Sequence, residues 1–150
     1  TMYSNTVVKT AFSYLRNTYD AEDITQEVFL TLMEKQPRFE NGEHLKAWLI
    51  RVTINKCKNY LKSGWYKSRN SLPEQEMYTL PKVPKEESEV LSAVLSLDTK
   101  YRIPIHLYYY EGYTIKEIGK ILNIPKATIG TRLSRGRKLL KNMIGGIEYD

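Results

Sequence analysis

The chain has 150 residues, of which 41% are hydrophobic and 27% are charged, and this composition suits one ordinary domain or two small ones. The absence of any apolar run of about 18 residues excludes a membrane-spanning helix. The single cysteine excludes an internal disulfide and fits a reducing compartment such as the cytoplasm, and the formal charge of +6 indicates an anionic partner.

The basic residues are concentrated in two blocks. Residues 51–70 hold six basic and no acidic residues, and residues 113–142 hold eight basic residues and one acidic residue. The stretch 1–50 has five basic and seven acidic residues, and 71–112 has four basic and seven acidic residues. Two basic blocks separated in this way are typical of a protein that contacts one polyanion in two places.

Apolar residues at helical spacing predict three helices in the first part of the chain, at about 7–17, 20–35 and 45–62. Asp20 is expected to cap the second of these helices, with Asp23 at its third helical position. The buried stripe of this helix is predicted to consist of Ile24, Val28 and Leu32, widened by Phe29 and Met33.

The second helix also carries an acidic, amide-bearing face opposite its apolar stripe. Such a face can pair with arginines of a protein partner through charge-assisted hydrogen bonds. The alternative is that the acidic residues merely favour the helix dipole at an N-terminus, which would account for Asp20, Glu22 and Asp23 but not for later positions. The face is formed by Asp23, Gln26, Glu27 and Leu30.

Residues 64–88 contain three prolines and no helical stripe, which predicts a linker that is partly disordered or extended along a partner. Helical spacing returns at Glu89, and no strand-like alternation stands out. The sequence therefore predicts an all-α fold of two small helical domains, residues 1–64 and 89–150, joined by a flexible linker at 65–88.

The stretch from Thr114 to Leu140 predicts a helix-turn-helix. Thr114 is expected to cap a short helix, Gly119 to permit a close helix crossing, and Asn123 to form the turn. The helix that follows has an apolar side, formed by Ile129, Leu133, Gly136 and Leu140. Its opposite side is cationic and rich in hydrogen-bonding groups, namely Thr128, Thr131, Arg132, Arg135 and Lys138.

A helix of this kind can enter the major groove of DNA, where arginine reads guanine and threonine or lysine holds phosphates and thymine methyl groups. The alternative is a solvated basic face on a helical hairpin. Pro125 cannot supply a side-chain cap, and Gly130 and Gly136 each weaken a helix by up to about 1 kcal/mol relative to alanine.

These motifs resemble those of bacterial RNA polymerase sigma factors. The segment EIGKILNIPKATIGTRLSRGRKLL is similar to the C-terminal DNA-binding domain of that family. The segments DAEDITQEVFLTL and LKAWLIRVTINKCKNYLK are similar to its N-terminal core domain. The resemblance covers about residues 7–62 and 89–143, and the order of the two halves resembles the extracytoplasmic-function (ECF) class.

The resemblance implies a cytoplasmic transcription initiation factor that binds core RNA polymerase and directs it to specific promoters. In sigma factors the D-x-x-Q-E-x-F helix docks onto a coiled coil of the polymerase clamp, which implies a polymerase-binding role for Asp23, Gln26, Glu27, Phe29 and Leu30. The C-terminal domain is implied to read the minus-thirty-five element of promoter DNA through Lys126, Thr128, Thr131, Arg132, Arg135 and Lys138.

The middle basic block mixes cations with aromatic residues, which suits single-stranded nucleic acid. In the resembling family this segment captures the opened minus-ten strand and holds a flipped base. The resemblance implies that Tyr60 and Trp65 stack on bases, although Tyr60 has the alternative role of closing the core. The other implied minus-ten contacts are Asn55, Lys58, Asn59 and Lys62.

The implied mechanism is binding rather than catalysis. No nucleophile–base pair, metal-ligand cluster or phosphate-cradling glycine loop appears in the sequence, so we expect no enzyme activity, cofactor, metal or small-molecule substrate. Cys57 is expected to be a small buried hydrophobe. The resemblance also implies an anti-sigma protein as a partner. The main alternative is a stand-alone helix-turn-helix regulator, which explains residues 113–142 but gives residues 20–33 no role.

Overall fold

The computed structural model describes residues 3–63 and 85–144, with side chains from residue 89 onward in the second range. Over these residues it is helical without any strand, as the sequence predicts. The chain divides into two compact units, Thr1–Thr79 and Leu80–Asp150. The described helices of the first unit are α1 (Ser4–Leu15), α2 (Thr18–Lys35) and α3 (Gly42–Lys62). Those of the second are α4 (Lys85–Ser96), α5 (Thr99–Ile105), α6 (Ile115–Leu122) and α7 (Lys126–Ile144), with a π-helical turn at His106–Tyr110.

In the first unit each of the three helices packs against the other two around an aliphatic core. The most deeply buried side chains come from all three helices, so burial of their apolar stripes holds the bundle together. They include Val7, Ala11, Ile24, Val28, Leu49, Ile50 and Ile54.

The N-terminus of α2 differs from the prediction. Asn17, not Asp20, caps the helix, and its side chain accepts a hydrogen bond from the backbone N–H of Asp20 at 3.0 Å. Helix α2 therefore starts at Thr18, three residues before the start that a cap at Asp20 implies. Asp20 lies inside the first turn, and only 5% of its surface is exposed. The predicted cap was wrong because two cap-forming residues lie within one turn, and the three-dimensional surroundings of Asp20 select between them.

Helix α3 begins earlier than predicted, because Asn41 caps it by accepting a hydrogen bond from the backbone N–H of His44 at 2.9 Å. Cys57 is fully buried on this helix, as expected, and burial raises the pKa of its thiol to about 12. The thiol is therefore neutral at physiological pH and packs as a small hydrophobic group.

In the second unit, α4 starts at Lys85, four residues before the predicted return of helical spacing at Glu89. Helix α5 continues into the π-helical turn, where the backbone N–H of Glu111 donates to the carbonyl of His106 at 3.2 Å. The imidazole of His106 and the carboxylate of Glu111 lie 3.7 Å apart, and both side chains are buried. The turn ends at Gly112, whose φ of +76° lies in the region that glycine adopts without strain.

The helix-turn-helix forms as predicted from α6 and α7. Thr114 accepts a hydrogen bond from the N–H of Glu117 at 3.1 Å, and the carboxylate of Glu117 accepts one from the N–H of Thr114 at 3.0 Å, which completes a capping box. Asn123 ends α6 in the left-handed conformation, with φ 57°. A β-carbon on Gly119 would lie 2.7 Å from the carbonyl oxygen of Ile124, so only glycine fits against this turn.

Candidate functional site

The acidic residues that the sequence singles out on α2 face solvent. Asp23, Gln26, Glu27 and Leu30 are all exposed, and Leu30 exposes 55% of its surface despite being apolar. Phe29 is half-buried at the edge of this face. The side of α2 that carries Ile24 and Val28 is buried against the other helices. The predicted polymerase-binding residues are therefore accessible together, with the exception of part of the Phe29 ring.

Two further residues on this side of α2 were not predicted to be exposed. Met33 was expected to widen the buried stripe, but 69% of its surface is exposed, so that prediction was wrong. Tyr19 exposes 70% of its surface. Together with three of the predicted residues they form one line along the helix, which we call the α2 outer face: Tyr19, Asp23, Gln26, Leu30 and Met33.

The residues of the α2 outer face are separated alternately by four and three positions. This is the spacing at which one helix contacts another along its length, as in coiled coils. A face of this kind, with apolar residues exposed and carboxylate and amide groups among them, is suited to pack against helices of a partner. The spacing was visible in the sequence, because Met33 follows Leu30 by three positions and lies far around the helix from Val28.

Four of the predicted minus-ten residues lie on one side of the end of α3. Asn55, Lys58, Asn59 and Lys62 are exposed, and their spacing places them within one polar face. Tyr60 is half-buried, and its hydroxyl group donates a hydrogen bond to Oδ1 of Asp20 at 3.1 Å. The prediction for Trp65 lies outside the described residues.

Helix α7 buries Ile129, Leu133 and Gly136, and Leu140 is half-buried on the same side. A β-carbon on Gly136 would lie 2.6 Å from Cδ1 of Ile105, so α7 closely approaches α5 there. Because this side faces the core, the opposite side is free for contacts. Its most accessible members are Thr131, Arg135 and Lys138, with Lys126 exposed at the first turn and Thr128 and Arg132 half-buried at the edges.

Arg137 on α7, which was not among the predicted DNA-binding residues, forms a hydrogen bond with a tyrosine. The guanidinium of Arg137 donates to the hydroxyl oxygen of Tyr109 at 3.0 Å, and Tyr109 itself exposes 51% of its surface. This bond joins the π-helical turn to α7. The sequence alone could not indicate which of the three consecutive tyrosines bonds to Arg137, because a π-helical turn changes the direction in which each side chain points.

Both halves of the chain match models of sigma-70 regions. Residues 1–66 match sigma-70 region 2, and residues 87–140 match sigma-70 region 4. The ECF RNA polymerase sigma factor SigW of Bacillus subtilis is 28% identical over 95% of this chain and 85% of its own length. The ECF RNA polymerase sigma-E factor of Haemophilus influenzae is 28% identical over 95% of this chain and 83% of its own length.

The chain belongs to the ECF sigma factors.

The structure agrees with this family assignment. The sigma factor RpoE of Bartonella quintana, solved in complex with the anti-sigma factor NepR, has a similar fold with a TM-score of 0.80 at 21% identity, over 98% of this chain and 94% of that one. CnrH, solved in complex with the cytosolic domain of CnrY, has a TM-score of 0.67 at 21% identity, over 95% of this chain and 82% of that one.

As an ECF sigma factor, the chain is a transcription initiation factor. A stand-alone helix-turn-helix regulator would leave the region 2 match of residues 1–66 unexplained. Sigma factors as a family are not enzymes. Within the described residues no helix is long and apolar enough to cross a membrane, and no three potential ligands among histidine, cysteine, aspartate and glutamate cluster as a metal site would require.

Proposed function

We propose that this ECF sigma factor binds core RNA polymerase through the α2 outer face and directs it to promoters by holding DNA at two places. The observation that supports this proposal most strongly is the exposed Leu30 and Met33 beside Asp23 and Gln26 on one line of α2. A protein that acted on DNA alone would have no use for an exposed apolar and acidic line. Glu27, at the edge of this line, adds a second carboxylate for partner arginines.

We assign a separate role to each of the two units. Residues 1–64 dock on polymerase and recognise the minus-ten element, residues 89–150 recognise the minus-thirty-five element, and residues 65–88 link them. Joining two weak DNA sites by a tether raises the effective concentration of the second site once the first is bound. The chain itself carries out no covalent step, uses no cofactor, and acts in the cytoplasm, where polymerase and promoter DNA are found.

Opening of the promoter is proposed to rely on the polar end of α3. Exposed lysines there, Lys58 and Lys62, can pair with phosphates of the displaced strand. Asn59, between them, offers both a donor and an acceptor to the edge of an extruded base. A base leaves the duplex at a cost of a few kcal/mol, and these contacts offset that cost.

The minus-thirty-five element is proposed to be read by α7, whose outer residues Thr131, Arg135 and Lys138 face away from the core. Thr131 is partly engaged within its own helix, because its hydroxyl donates to the carbonyl of Ala127 at 3.1 Å. Arg135 is exposed and has the planar guanidinium that pairs with guanine through two hydrogen bonds, so we assign it the main base contact.

The variant Arg135→Ala should bind its preferred minus-thirty-five duplex about 1–3 kcal/mol more weakly and lose its preference at one base pair. Lys141→Ala removes a cation from the same helix two turns further on and is the matched control. It should weaken binding slightly and equally for all sequences. The measurement is competition binding with duplexes changed one base pair at a time. If Arg135→Ala weakens binding to every duplex equally, Arg135 contacts only phosphates and does not read a base.

An anti-sigma protein is proposed as a further partner, in keeping with the two solved relatives that were captured with such proteins. The proposal as a whole is tested by co-purification of the chain with core RNA polymerase. Stable association supports the sigma factor role of this chain. A chain that binds duplex DNA but never associates with polymerase would instead favour a stand-alone regulator.

A further inference from the structure

A partly buried hydrogen bond connects the start of α2 with the end of α3. Asp20 belongs to the first turn of α2, and 5% of its surface is exposed, which is unusual because aspartate is rarely buried unless its carboxylate has a partner. One partner is the hydroxyl group of Tyr60, which donates to Oδ1 of Asp20 at 3.1 Å. Tyr60 lies 40 residues further along the chain, in the last turn of α3.

Tyr60 also stabilises the end of α3 through its backbone. Its carbonyl oxygen accepts a hydrogen bond from the hydroxyl of Ser63 at 2.6 Å and another from the N–H of Ser63 at 3.0 Å. The last carbonyls of a helix have no partner within the helix, and such ends fray unless other groups satisfy them. Tyr60 is therefore fixed at both ends, by Ser63 at the backbone and by Asp20 at the hydroxyl.

The two residues joined by this bond each lie beside one of the proposed contact surfaces. Asp20 is one residue after Tyr19 and three before Asp23, both on the α2 outer face. Tyr60 lies in the same turn of α3 as Asn59 and Lys62, which belong to the polar face of that helix. The bond therefore sets the position of the strand-binding end of α3 relative to the helix that docks on polymerase.

We propose that Tyr60 is a positioning residue for capture of the opened promoter strand, which acts through its hydroxyl bond to Asp20 and not by stacking on a base. The proposal rests on the proposed function of α2 and α3. With the bond intact, Asn59 and Lys62 project from a fixed helix end, so the strand meets a preorganised surface. Without it the last turn of α3 gains freedom, and binding of the strand must first remove that freedom.

The test uses Tyr60→Phe, which removes only the hydroxyl and keeps the ring. The chain is assembled with core RNA polymerase and titrated with a fluorescent single-stranded oligonucleotide, the non-template minus-ten strand of a promoter chosen by run-off transcription. We expect the oligonucleotide to bind about three- to tenfold more weakly, because the partly buried hydrogen bond that orders the end of α3 is lost. Affinity for core polymerase should stay unchanged, since the α2 outer face is untouched.

Tyr3→Phe is the matched control. It removes a tyrosine hydroxyl that also bonds to α3, at the carbonyl of Gly42 and 3.3 Å away, but at the other end of that helix. This variant should bind the oligonucleotide like the wild type. Asp20→Ala should also weaken oligonucleotide binding, and the losses of Asp20→Ala and Tyr60→Phe should not add in the double variant, because both changes remove the same bond.

Thermal unfolding of each variant fixes an assay temperature at which all are folded. Wild-type oligonucleotide affinity in Tyr60→Phe, combined with a large loss in Tyr60→Ala, would overturn the proposal and leave base stacking by the ring as the role of Tyr60. An equal loss of polymerase and oligonucleotide affinity in Tyr60→Phe would also overturn it, because the bond would then be merely structural. Failure of the wild type to bind polymerase is a separate result that removes the proposed function itself.

Discussion

The variant Glu27→Lys should bind core RNA polymerase about a hundredfold more weakly than the wild type, or not measurably. Glu27 is exposed beside the α2 outer face, so lysine there replaces attraction to partner arginines with repulsion at the same contact. The fold should be unaffected because the side chain is outside the core and lysine and glutamate have similar helix propensities. Affinity is measured with labelled chain and purified core polymerase, and helix content by circular dichroism.

Glu43→Lys is the control for this reversal. It makes the same change of charge at another exposed position of the first unit, in the first turn of α3. It should retain wild-type affinity if the α2 outer face is the docking surface. An equal loss in both variants would mean that polymerase responds only to the total charge of the unit, and unchanged binding by Glu27→Lys would remove the docking assignment from this side of α2.

The variant Gly119→Ala should destabilise the second unit by about 1–3 kcal/mol. Its β-carbon would meet the carbonyl oxygen of Ile124 at 2.7 Å and the backbone of Lys126 at 3.5 Å. These are backbone atoms of the turn between α6 and α7, so they cannot move aside as the tip of a side chain can. The turn must open instead, which changes the angle at which α7 is presented and should also weaken binding to minus-thirty-five duplex. Thermal unfolding and duplex titration measure the two effects.

Gly130→Ala is the control, because it makes the same substitution at a glycine whose added β-carbon would have space around it. No heavy atom lies within 4 Å of its added β-carbon, so the variant gains only the better helix propensity of alanine. Its stability should rise by about 0.5–1 kcal/mol. A Gly119→Ala variant as stable as Gly130→Ala would contradict the close approach at this turn.

The helix-turn-helix was predictable because its rules are local. The cap at Thr114, the left-handed residue Asn123 and the small residue Gly119 each follow from a few neighbouring positions, and all three are confirmed. The buried side of α7, with Ile129 and Leu133, follows from spacing alone. The all-α class could be predicted because apolar residues recur at helical spacing along most of the chain.

The features that sequence reasoning missed depend on contacts between distant residues. Asn17 and Asp20 are equally good caps in isolation, whereas in the structure Asn17 caps α2 and the side chain of Asp20 bonds to Tyr60, 40 residues away. Met33 is different, because its spacing of three from Leu30 already placed it away from the buried stripe, and it was assigned to that stripe for its apolar side chain. The π-helical turn at His106–Tyr110 has no spacing signal in the sequence.

The most direct test of the account is run-off transcription by purified core RNA polymerase on a library of templates with randomised upstream sequence. With the chain present, RNA should start at a defined position on a subset of templates that share two upstream sequence elements, and core polymerase alone should select none. The same set of templates transcribed with and without the chain, or no defined start on any template, would contradict the claim that this chain brings polymerase to promoters.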